Sequence, residues 1–327
     1  MITIVNTISR SIHFERFFSK ISCFLLILIA ISCVKDDDDI QKKVIEKSLE
    51  LKIENESYIV QNESIGYSEN CNELFIRVQY YNSKKGNFTI EFSLTKVGTI
   101  KNVRLVDFSI NNDLYESADF NPKELLSITN FKYDETKKFL YFEFKGELIK
   151  VDSNYFSLDK NQDRKRIEGN LTIKNFINTI CTNFISDLNF QTSNLYFSTS
   201  ILFAHYDLGL RTNPYQFYFY SDNGYRTIIK SKVDLWHFEK GTYNFDQSNI
   251  ENRIDFEQYI GIFRATQLLW IRDIDWKKYQ TSGSYTILGH QIINGQKVTN
   301  GEFNLQIFDN GVSKHNITNA KFEVIGF

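Results

Sequence analysis

The sequence predicts an all-β protein: two tandem antiparallel β-sandwich-like domains behind a signal peptide and a short tether. Three observations predict it. From about Tyr58 apolar and polar residues alternate with period two, the pattern of strands with one buried and one wet face. Turn signals such as Asn294-Gly295 punctuate those runs. The chain of 327 residues is 42% hydrophobic with only two Pro, which gives length and apolar content for about two cores and excludes collagen or low-complexity disorder. The expected boundaries are residues 1–32 for the signal peptide, 33–55 for the tether, 56–188 for the first β domain and 189–327 for the second.

The first element is an address. Arg10, Arg16 and Lys20 form a positive region before Ile21 to Ile31, an apolar run of eleven residues. A membrane-spanning helix needs about 20, so this run reads as a signal-peptide core. It ends in Ala30-Ile31-Ser32-Cys33, which resembles the lipobox of bacterial lipoproteins, with Ala30 where Leu is usual. Val34-Lys35-Asp36-Asp37-Asp38-Asp39 follows. An acidic cluster just past the lipidated Cys resembles the export signal of surface lipoproteins of the Bacteroidota. The resemblance covers only about the first 40 residues and implies location. Cys33 would be acylated and bind the lipid bilayer, Lys35 and Asp36 to Asp39 would direct export, and the protein would sit on the outer face of the outer membrane. Two or more acyl chains hold a protein stably without a membrane-spanning helix.

Maturation changes the remaining arithmetic. The whole chain has a formal charge of -2, and the signal carries three cations against Glu15, so the mature chain carries -4. Nothing there attracts nucleic acid. Cys23 lies in the signal core and Cys33 would carry lipid, which leaves Cys71 and Cys181. Outside the cytoplasm two thiols tend to pair, and a loop of about 110 residues closed by a disulfide could contribute about 4–5 kcal/mol.

Residues 39–53 place Ile40, Val44, Ile45 and Leu49 at near-helical spacing, read as a short helix or part of the tether. Strands follow over residues 74–80, 88–94, 103–110, 139–149, 166–174, 195–203, 216–220, 226–232, 285–292, 301–307 and 321–324. Asn294-Gly295, Asp222-Asn223-Gly224 and Asp309-Asn310-Gly311 mark turns. One helix signal interrupts them, Asn121-Pro122-Lys123-Glu124, with a capping side chain followed by Pro at the first helical position. Residues 248–276 satisfy neither period. A faint repeat joins Gly169-Asn-Leu-Thr-Ile-Lys to Gly301-Glu-Phe-Asn-Leu-Gln, 132 residues apart.

No motif for chemistry converges. His205, His237, His290 and His315 lack metal-binding spacing, no HExxH or GxSxG occurs, and no glycine-rich phosphate cradle is present. No cofactor or metal is called for. Asp159-Lys-Asn-Gln-Asp163 resembles the start of a calcium loop but lacks its Gly, and Arg164-Lys165-Arg166 would repel a cation. Asp273 and Asp275 would share one face of a strand, the weak motive for a glycan-acting hydrolase. The aromatic residues are the remaining signal. Tyr215, Phe217 and Phe219 alternate with Tyr218 and Tyr220, so one face packs on a core and Tyr218 and Tyr220, with Trp270 and Trp276, could form a ligand platform. The leading expectation is a surface lipoprotein acting as a non-catalytic binding or accessory module for a glycan or a partner protein. A glycan-acting hydrolase and a purely structural lipoprotein are the alternatives.

Overall fold

A computed structural model of the chain describes residues 46–70, 73–108, 112–151, 163–177, 187–192, 195–200, 215–261 and 273–326. Residues 45–327 form one compact unit, whose described residues make two antiparallel sheets of ten and nine strands. Among the described residues no helix is long and apolar enough to cross a membrane.

The first sheet contains β1 (Lys47–Ile53), β2 (Glu56–Gln61), β3 (Ile65–Glu69), β4 (Glu73–Asn82), β5 (Gly86–Thr95), β6 (Ile100–Asp107), β7 (Asp113–Glu116), β8 (Leu126–Asp134), β9 (Phe139–Lys150) and β10 (Arg164–Lys174). Its order runs from β2 through β1, β10, β9, β7, β6, β5 and β4 to β3, with β8 also on β9. The two ends of that order, β2 and β3, are joined by only three residues, Asn62–Ser64. A single bent length of chain therefore links the sheet's two edge strands. Its inward residues, among them Leu49, Ile76, Phe92, Phe142, Phe144 and Leu171, form one core, where full burial of each large apolar side chain contributes about 1.5–3 kcal/mol.

The second sheet contains β11 (Asp187–Thr192), β12 (Leu195–Ser200), β13 (Tyr215–Ser221), β14 (Tyr225–Ser231), β15 (Gly241–Phe245), β16 (Arg253–Tyr259), β17 (Trp276–Ile293), β18 (Gln296–Asp309) and β19 (Val312–Ile325). β11 pairs with β19 by residues 187–189 and with β12 by residues 190–192. β17 pairs with β16 by residues 276–279 and with β18 from Gln280 onward. Strands that pass from one neighbour to the next turn the corners of a closed sandwich. The core of this second barrel is built on Phe217, Phe219, Phe256, Tyr285, Phe303 and Phe322.

The two circuits follow the same order, with β2 and β3 together standing where β12 stands and β15 an added strand on β17. In each, the first strand pairs with the last (β1 with β10, β11 with β19). β7 and β8 together stand where β17 stands, pairing first with the preceding strand and then with the following one. The break between β7 and β8 holds α1 (Pro122–Leu125). The repeat is thus real in topology but not where the sequence likeness put it. Gly169 lies on β10 and Gly301 on β18, whose counterpart in the first circuit is β9. An inward Lys–Asp pair recurs at equivalent places with its charges exchanged. Lys150 on β9 meets Asp113 on β7 at 2.7 Å, and Asp309 on β18 meets Lys277 on β17 at 2.6 Å.

Two expectations need correction. Residues 47–53, given to the tether, are β1, because Leu49, Leu51 and Ile53 alternate with Glu50 and Lys52 and bury against β10. Asn121 precedes α1, but its side chain makes no cap hydrogen bond. The hairpin signals hold. Asn294 and Gly295 have φ of 50° and 81°, Asn310 and Gly311 φ of 51° and 79°, the pair of positive values a type I′ turn requires.

Candidate functional site

Tyr218, Tyr220 and Trp276 come together on the outer face of the second barrel. Along β13 the alternation sends Phe217 and Phe219 into the core, where they are 2% and 0% exposed, so Tyr218 and Tyr220 point out. Their rings stack at 6.4 Å with an interplanar angle of 11°, and the Tyr220 ring lies 5.9 Å from that of Trp276. The Tyr218 hydroxyl donates to Gln216 Oε1 at 2.6 Å. Trp270 lies outside the described residues, as do Cys33, Lys35, Asp36, Asp37, Asp38, Asp39, Cys71, Cys181, His205 and Asp159.

Cross-strand register adds charge to this face. Arg226 on β14 lies opposite Tyr220 on β13 and Glu257 on β16. The Arg226 Nε donates to Glu257 Oε2 at 2.6 Å, and Nη2 contacts the same oxygen. Both side chains are 2% exposed. The guanidinium carbon sits 4.0 Å over the Trp276 ring and 5.5 Å over that of Tyr218, a desolvated cation–π arrangement. Burial pushes the Glu257 carboxyl up from its usual range, and Arg226 opposes that shift. Burial likewise raises the Tyr220 hydroxyl, again opposed by Arg226.

The first barrel covers one end of the face. Phe120, two residues before α1 proper, sends its ring among Tyr220, Tyr259 and Trp276, with centroids at 5.3, 5.3 and 5.2 Å. Its backbone has φ of 61°, a conformation that bulky side chains rarely adopt. Beside it, the tip of the β13–β14 hairpin docks against the first barrel. The Asp222 carbonyl accepts the Lys123 N–H at 2.9 Å, and Asp222 Oδ2 accepts the Ile100 N–H at 3.3 Å. Gly224 has φ of 87°, and a Cβ there would lie 3.1 Å from the Asn121 side chain. Burial raises the Asp222 carboxyl above its usual range, with Lys123 and the Ile100 N–H pulling the other way.

The other singled-out residues are placed elsewhere. Asp273 and Asp275 do not share a strand face, because residues 273–275 form one 3-10 turn before β17, and the Asp275 carbonyl accepts the Ile260 N–H at 2.8 Å. The His290 ring nitrogens contact the Phe238 carbonyl at 2.8 Å and Thr299 Oγ1 at 3.0 Å. Among the described residues no three His, Cys, Asp or Glu side chains gather in a metal-ligand set. A surface groove of about 350 Å³ on the first barrel is lined by Lys52, Lys145 and Arg166 with Glu54, Glu147 and Glu168, and several of these charges pair with one another, Lys52 with Glu168 and Arg166 with Glu147 among them.

Sequence reasoning missed Phe120, Asp222, Arg226, Glu257 and Tyr259 as members of this site. Alternation marks Arg226 as outward, residues 248–276 show no period that would place Glu257 or Tyr259, and neither pattern signals that an outward face is covered by another barrel. Comparison of the chain with protein-family models, with curated proteins and with solved structures gives no match.

Proposed function

We propose that the chain is an outer-membrane lipoprotein, held in the bilayer by acylated Cys33, exposed at the cell surface, and acting as a non-catalytic module that binds a glycan or a partner protein. The observation that carries the binding role is the outer aromatic face of the second barrel, where Tyr218, Tyr220 and Trp276 gather around Arg226. Aromatic rings set on an outward sheet face offer flat apolar contact with a polar handle, the chemistry that recognition surfaces use; here Tyr218 and Tyr220 are half-buried, and Trp276 lies beneath Phe120. The anchor rests on the lipobox-like Ala30 to Cys33 and the acidic run behind it. Cys33 lies 13 residues before Glu46, the first described residue, so an extended tether spans at most about 45 Å at about 3.4 Å per residue.

Retention on immobilised polysaccharides tests the binding role. The intact protein should be retained on at least one, without turnover, and Tyr218→Ala with Tyr220→Ala should abolish retention. Turnover lost on Asp275→Asn would replace this reading with a hydrolase. The motive for that alternative weakens with the 3-10 turn at residues 273–275.

A further inference from the structure

We infer that Tyr220, Tyr259, Trp276 and Asp222 of the second barrel form a site for a single sugar ring, and that Phe120 of the first barrel occupies this site as a built-in plug. The inference deepens the binding role proposed above and rests on the ligand being a glycan.

Three observations carry it. The rings of Tyr220, Tyr259 and Trp276 all lie 5.2–5.3 Å from the Phe120 ring, so the face is already shaped around one flat six-membered ring. The Phe120 backbone is held at φ of 61°, a strained conformation for a bulky residue that persists only where the surroundings impose it. The plug is therefore seated under strain and released more readily than a relaxed one. Finally, a phenyl ring offers no hydrogen bond, yet Trp276 Nε1 and Asp222 Oδ1 are buried with no hydrogen-bond partner among the described residues. Their residues are 4% and 5% exposed. A buried donor and a buried acceptor left unpaired are each destabilising and call for a partner.

A sugar ring answers both features. Its C–H faces stack on aromatic rings as a phenyl ring does, and its hydroxyls both donate and accept, the complement of an indole N–H donor and a carboxylate acceptor. Arg226, fixed by Glu257 and lying 4.0 Å over Trp276, holds the indole in place. Asp222 flanks the plug through the main chain, since its carbonyl accepts the N–H of Lys123, three residues past Phe120.

The test uses the intact protein and free glucose, galactose, mannose and N-acetylglucosamine, with saturation-transfer NMR as the readout. Phe120→Gly removes the ring and accepts the positive φ, and Phe120→Ala is the second variant should the first lose its fold by circular dichroism. Emptying the cage should tighten binding of at least one of these sugars by about tenfold or more, because the wild-type protein is competent only in the fraction with the plug withdrawn. Adding Trp276→Phe or Asp222→Ala should abolish the gain. Equal binding by wild type and both plug variants, or binding that survives Trp276→Phe and Asp222→Ala, overturns the inference. If wild type is retained on a polysaccharide while the plug variants change nothing, the site is wrong and the binding role stands. Capture of a phenylalanine-bearing peptide in place of any sugar would also overturn it.

Discussion

The main-chain N–H of Ile100, at the start of β6 in the first barrel, donates to the carboxylate of Asp222, at the tip of the β13–β14 hairpin in the second. The same residue's carbonyl takes the N–H of Lys123. One aspartate thus satisfies two donors of the opposite barrel, one at the start of β6 and one in α1.

Asp222→Asn keeps an acceptor for Ile100 and removes the buried charge, whereas Asp222→Ala leaves the donor unpaired. The alanine variant should lose about 1–3 kcal/mol of stability, and the asparagine variant much less. The pH dependence separates them further. The folded-state pKa of Asp222 is raised above the ordinary 3.8, so between these two values the folded protein holds a proton that the unfolded chain releases. Stability from this group rises as pH falls through that window and is lost as pH climbs back. Urea melts of wild type and Asp222→Asn across acidic pH should show a wild-type gain that the variant lacks; parallel curves would contradict the assignment.

Arg226 and Glu257, both 2% exposed, should behave as a unit. Glu257→Leu or Arg226→Met alone leaves a buried charge without its partner and should cost about 3–5 kcal/mol. Replacing both together with Arg226→Met and Glu257→Leu should recover most of that loss. Additive losses in a double-mutant cycle by urea denaturation would mean that the pair is not coupled.

Two glycines separate space from backbone conformation. A Cβ on Gly169 would lie 2.0 Å from the Glu50 carbonyl oxygen of β1, so Gly169→Ala should disturb the β1–β10 seam and cost about 3 kcal/mol or more. Gly295 has φ of 81° with nothing within 4 Å, and Gly295→Ala should cost only about 1–2 kcal/mol. Thermal melts of the two variants should rank in that order.

His315 lies beside the rings of Tyr225 and Phe256. Burial, and then Lys314, lower its pKa from 6.5. The unfolded chain takes up a proton that the folded state resists, so stability from this group is present above about 6.5 and declines as pH falls below it. His315→Gln should flatten that decline in melts followed across the window, and an unchanged slope would remove His315 from the account.

The strands were legible because their alternation answers directly to one buried face. Phe217 and Phe219 against Tyr218 and Tyr220 is one instance, and the Asn-Gly turns follow from backbone sterics alone. β1 was misread because Val44, Ile45 and Leu49 mimic helical spacing, and what decides its state is pairing with β10, about 120 residues away. The junction was illegible for a related reason. Nothing local to Arg226, Glu257 or Tyr259 reports that Phe120 lies over their neighbours, since that contact joins two circuits about 100 residues or more apart in sequence. Asn121-Pro122 correctly marked α1 but not its use, which is to present Phe120 and the Lys123 N–H to the second barrel.

The most direct test of the proposed surface lipoprotein is the behaviour of the full chain on intact cells with Cys33 present or replaced. The wild-type protein should partition with the membrane fraction and be digested by protease added outside unbroken cells, while Cys33→Ala should leave the membrane fraction. A Cys33→Ala protein that stays membrane-bound, or a wild-type protein protected on intact cells, would contradict the account.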